Sequence, residues 1–129
     1  MTSGPINARK LTTYQKAVLI QILRSFPNER VEIRYSADSD DALSYAQDFL
    51  SIFKAIGWDV NGPQAEPGAL AGLTIHAGGN AGSPACVEAL RDALRIYEID
   101  VRHENVAAIS SNFILTIGAN PARQEGATA

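Results

Sequence analysis

The chain has 129 residues, 46% hydrophobic and 19% charged, which suffices for one ordinary core and not for two. Its formal net charge of -3, with 11 basic residues spread along the chain, argues against a nucleic-acid surface, which needs clustered Lys and Arg. A single cysteine, Cys86, leaves no intramolecular disulfide or multi-cysteine zinc site, and no window approaches the ~18 apolar residues of a membrane span. A cytoplasmic protein with no direct membrane insertion is expected.

Residues 1–10 and 119–129 are small, polar and aperiodic and read as disordered tails around one domain over residues 11–118. The first element is a helix in which Thr12 and Gln15 have the spacing of a capping box and Val18, Leu19, Ile22, Leu23 and Phe26 recur at helical spacing. Pro27 ends it. "VEIRY" then alternates apolar and charged residues with the period of a half-buried strand. "DSDDALSYAQDFLSIFKAIG" carries acids at its start, one apolar stripe through Tyr45, Phe49 and Phe53, and Gly57 at its stop, which predicts a strong helix. "WDV" reads as a short strand and "NGPQAEPGALAG" as a breaking loop.

The pattern then recurs. "LTIHA" alternates like "VEIRY"; "SPACVEALRDALRIY" reads as a helix with Ser83 as cap and Pro84 in its first position; "IDV" parallels "WDV". "FILTI" closes the folded part as a fifth strand before Gly118. Two β-α-β units joined by a loop predict an α+β fold: a ferredoxin-like two-layer sheet from a duplicated β-α-β unit, with an extra N-terminal helix and a fifth strand. The alternative is a three-layer flavodoxin-like or Rossmann-like α/β sheet. Against it, Glu32, Arg34, Thr74, His76, Asp100 and Arg102 interrupt every strand except the last.

The run "VEIRYSADSDDALSYAQDFLSIFKAIGWDV", with "LTIHAGGNAGSPACVEALRDALRIYEIDV" and "FILTIGANP", resembles an uncharacterised family of bacterial soluble α/β domains often found behind membrane-spanning helices. The resemblance covers about residues 11–121 and implies no known activity; no cofactor is expected.

Three sets of residues are candidates for function. Gly78, Gly79, Asn80 and Ser83 lie between a strand and a helix, where backbone N–H groups can meet an anion. The glycine spacing is neither G-x-G-x-x-G nor a Walker loop, and a turn with positive φ explains it equally. Asp38, Asp40 and Asp41 offer hard oxygen ligands for a divalent cation, although acids before a helix also serve its free N–H groups. Val18, Ile22, Phe26 and Trp58 are expected at an interface, because an apolar first helix has a poor bed on a polar sheet face and a two-fold dimer would cover it. Cys86 and His76 are not read as a nucleophile pair, since Cys86 shares an apolar helical stripe with Leu90, Ala93 and Tyr97. No catalytic string occurs. The expected function is a small non-enzymatic interaction or sensor module; the alternative is a nucleotide- or phosphate-binding protein or enzyme using loops 36–41 and 77–82.

Overall fold

The computed structural model describes residues 9–26, 29–67, 71–78, 85–106 and 113–120. Eight elements follow in order: α1 (Thr13–Leu23), β1 (Arg30–Ser36), α2 (Ala42–Ala55), β2 (Asp59–Glu66), β3 (Leu73–Gly78), α3 (Ala85–Ile96), β4 (Val101–Val106) and β5 (Phe113–Ile117). The capping box forms: the Thr12 hydroxyl accepts from the Gln15 amide at 3.0 Å, and the Gln15 side chain accepts from the Thr12 amide at 2.9 Å. These bonds satisfy two of the donors that the first turn leaves open.

The five strands form one mixed sheet in the order β2-β1-β5-β3-β4. β1 runs parallel to β2 and β5, β3 runs parallel to β4, and β3 meets β5 antiparallel. The expected α+β class and the duplicated β-α-β units are both present. The sheet order differs from either expected arrangement. Each unit's two strands are direct neighbours, whereas a split unit would have another strand between them. The antiparallel β3–β5 seam also departs from a wholly parallel sheet. The reason lies in β5, whose residues are buried on both faces. As the most apolar run, broken only by Thr116, it belongs at the centre, while the amphipathic strands take flanking places.

Register divides the sheet into two faces. Val31, Ile33, Phe113, Leu115, Ile117, Leu73, Ile75 and Ala77 join Leu19, Leu23, Phe49, Phe53, Leu90 and Leu94 in one core. The intervening residues point away, in rows Glu32–Ile114–His76–Glu104 and Arg34–Thr116–Thr74–Arg102. On this polar face Arg34 pairs with Glu32 at 2.6 Å and Glu66 at 3.0 Å. Those hydrogen bonds, Glu32 first, raise the guanidinium's already high pKa.

α1 packs against both α2 and α3, so the first helix lies on the helical side of the sheet. Leu19 and Leu23 are fully buried there, and Ile20, Ile22 and Phe26 pack half-buried around them. Trp58 is 5% exposed, stacks on Phe53 at 5.2 Å between ring centroids and donates its indole N–H to the Phe26 carbonyl at 2.6 Å. Of the residues expected at an interface, Trp58 therefore belongs to the core, and Val18, Ile22 and Phe26 are half-buried.

β2 extends through Gly62 and Pro63, which the sequence reading assigned to a loop. The β1–β2 register shifts between Glu32 and Arg34, making a bulge, and as an edge strand β2 tolerates a proline. Gly62 sits at φ +105°, and a Cβ there would collide with the Ile33 carbonyl oxygen. Only glycine meets both demands.

Candidate functional site

The most polar buried cluster lies where β1 and β5 end and β3 begins, an adjacency fixed by the pairs Tyr35↔Ile117 and Leu73↔Ile117. Asp41 sits at the start of α2 without making a side-chain capping bond and is 5% exposed. Arg9 holds it instead: the Arg9 backbone N–H and Nε donate to Oδ2 at 2.9 and 3.0 Å, and Nη2 donates to Oδ1 at 2.9 Å. Ser39 Oγ donates to Oδ1 at 2.8 Å and Asn120 Nδ2 to Oδ2 at 3.2 Å. Burial by itself would raise the Asp41 pKa. The hydrogen bonds from the Arg9 side chain and backbone and from Ser39 outweigh it and hold the carboxyl well below the usual range.

The chain on either side of the domain is built into this cluster. Arg9 Nη2 also donates to the Gly118 carbonyl at 2.7 Å, and the guanidinium lies 5.1 Å from the centroid of the Tyr45 ring, a cation–π contact. Burial pushes the Tyr45 phenol up to about 12. The Leu11 N–H donates to Asp48 Oδ2 at 2.9 Å, a second tie from the N-terminal segment to α2. Beyond β5, the Gly118 N–H donates to the Gly72 carbonyl at 2.8 Å and the Gly72 N–H to the Ala119 carbonyl at 2.9 Å. Arg9 and Asn120, expected in tails, are thus structural.

Beside this cluster opens a cavity of about 770 Å³ lined by Arg9, Tyr45, the segment 71–73, and residues of α3 and the turn into β4. Its cationic lining is Arg9, Arg91, Arg95 and Arg102, against the acids Glu98 and Asp100. Four of the chain's 11 basic residues therefore meet at one cavity in a protein of net charge -3. The sequence shows them as scattered because the convergence depends on tertiary structure. Arg9 Nη1 and Arg91 Nε are buried and make no hydrogen bond among the described residues. Leu73, Ile99 and Val101 supply apolar wall.

The residues singled out from the sequence are placed as follows. Asp38 and Asp40 are exposed while Asp41 is buried, with both of its oxygens accepting from the donors described above. Among the described residues no three His, Cys, Asp or Glu side chains are grouped to hold a metal ion. Gly78 ends β3, and Gly79, Asn80 and Ser83 lie outside the described residues. Because β3 runs against β5 and β1, Gly78 and Ser36 sit at opposite ends of the sheet. Cys86 is 1% exposed, and burial, reinforced by Glu29, pushes its thiol up to about 12. His76 projects from the polar face, with Nε2 3.3 Å from Glu104 Oε1. Cys86 belongs to the core on the other face, so the two residues form no pair.

Arg9, Arg91, Arg95 and Arg102 escaped the sequence reading. One signal was available for two of them: Arg91 and Arg95 are four residues apart on α3 and so share a face of that helix. Comparison with protein-family models, curated proteins and solved structures returned no match to this chain. No helix among the described residues is long and apolar enough to cross a membrane.

Proposed function

We propose that this protein is a small ligand-binding module that takes an organic anion into the arginine-lined cavity. One observation carries the reading: Arg9 Nη1 and Arg91 Nε are buried donors without an acceptor among the described residues, and both residues line the same cavity. A buried polar group left unsatisfied costs about 1–3 kcal/mol, and more when charged, so two of them at one cavity favour an incoming acceptor. Guanidinium forks match the planar or tetrahedral oxygens of carboxylates and phosphates. The apolar wall favours an organic body over a bare inorganic ion. The cavity's volume lies within the range of small-molecule sites, roughly 300–1,000 Å³.

Thermal unfolding with a panel of carboxylates, sugar phosphates and nucleotides tests this. At least one compound raises Tm by several degrees, as binding to the native state requires. Arg91→Ala abolishes the shift, while Arg30→Ala, on an exposed residue paired with Asp59 and outside the cavity lining, preserves it. Silence across the panel, or a shift that survives Arg91→Ala, refutes the assignment.

A further inference from the structure

The two edges of the sheet differ in a way that points to a partner. At one edge, β2 is interrupted by the bulge at Gly62 and by Pro63, which has no N–H to offer another strand. Such an edge is blunted against pairing. At the other, β4 pairs with β3 in unbroken register from Leu73↔Val101 to Gly78↔Val106. It contains neither proline nor glycine, and among the described residues no further strand lies beyond it. An edge of this kind presents alternate backbone N–H and C=O groups in the geometry that a second strand needs.

We propose that the occupant of this edge is a second copy of the chain, its β4 lying antiparallel to the first about a two-fold axis at residue 103. The strand's charges favour that register. With residue 103 opposite its own mate, Arg102 of one copy faces Glu104 of the partner subunit, and the pair occurs twice. Arg102 and Glu104 are both exposed and project from the same polar face. Opposite charges facing across antiparallel strands stabilise the pairing, and like charges facing destabilise it. Within one copy Arg102 Nη2 donates to the Ala71 carbonyl at 2.5 Å and Glu104 Oε1 lies 3.3 Å from His76 Nε2. Because β2 is blunted, each copy has one receptive edge. The assembly therefore closes at two copies and does not grow into a filament.

Light scattering coupled to gel filtration across the micromolar range reads the outcome as mass. The native chain runs at twice 13.8 kDa. Glu104→Arg sets arginine against arginine and halves the mass, and Arg102→Glu does the same with glutamates. The double exchange R102E/E104R restores opposite charges and the doubled mass. A native mass of 13.8 kDa throughout, or a doubled mass that persists in Glu104→Arg, overturns the proposal. Should a single variant fail to fold, amide exchange in the native chain decides. Exchange within residues 101–106 slows as protein concentration rises if β4 is the interface, and concentration-independent exchange there refutes it.

Discussion

Asp41→Asn tests the cluster that ties the N-terminal segment to α2 and to the end of β5. The amide keeps one acceptor oxygen. Its nitrogen is best tolerated in the Oδ1 position, where Ser39 can turn to accept but Arg9 Nη2 meets a donor in place of an acceptor. The substitution removes the charge that balances a guanidinium whose side chain is 14% exposed, opposite a carboxylate that is 4% exposed. Breaking a buried pair by removing one partner costs about 3–5 kcal/mol. Arg9 Nη2 retains the Gly118 carbonyl, so the lower end, about 3 kcal/mol, is expected. Urea denaturation near neutral pH reads this as a lower midpoint with unchanged slope. The pH dependence has a definite sign. The folded-state pKa of Asp41 lies below its ordinary value of 3.8, so its contribution is complete above that value and lost as pH falls towards the folded one. The gap between native protein and Asp41→Asn stays constant near neutrality and narrows in acid below about pH 4. A loss under about 1 kcal/mol, typical of exposed ion pairs, or a gap that does not narrow in acid, would refute the buried-pair reasoning.

Gly62→Ala meets both a positive φ and the Ile33 carbonyl, and should cost about 2–3 kcal/mol in the same denaturation assay. Gly57→Ala, where a Cβ meets nothing within 4 Å although φ is +84°, should cost about 1 kcal/mol. Cys86, with its thiol pushed up to about 12, should resist aromatic disulfide reagents at neutral pH until the protein is denatured; Cys86→Ser should lower stability by about 1–2 kcal/mol, measured from the urea midpoint. Trp58→Phe loses the bond to the Phe26 carbonyl and part of the stack on Phe53, a cost of about 1–2 kcal/mol by thermal or urea unfolding.

Most elements were legible because their local pattern agrees with their burial. β1 and β3 alternate, α2 carries one apolar stripe, and β5 is apolar except for Thr116. The edge strands were not legible to their full length. β2 was expected to end at Val60 because Gly62 and Pro63 read as breakers, and β4 was expected to end at Val101 because Arg102, His103 and Glu104 are polar. Both judgements hold for central strands and fail at an edge, where one side of the backbone needs no partner. Sheet order was hidden for another reason, since nothing local to "FILTI" says which two strands it will separate. The arginine-lined cavity was the least visible feature. Arg9 lies in a segment without periodicity, and its role depends on Asp41, 32 residues away, and on Gly118, 109 residues away. Asp41 itself was read as serving a helix N-terminus because acids there ordinarily do; its burial against Arg9 is a tertiary fact.

The central place of β5 bears on how the chain reaches its native state. β1 finds one neighbour, β2, within its own β-α-β unit, and β3 likewise finds β4, but the two halves touch through a strand drawn from near the other end of the chain: Val31 pairs with Phe113 and Leu73 with Ile117. Contacts of such sequence separation form late and slow folding, because the intervening chain must first be closed into a loop. During synthesis from the N-terminus both halves exist before β5 does, each with an unpaired inner edge and half of the Ile33–Leu115–Ile75 row missing its centre. The protein is exposed to wrong edge-to-edge association in that interval, and the arrival of residues 113–117 ends it by joining the halves into one cooperative sheet.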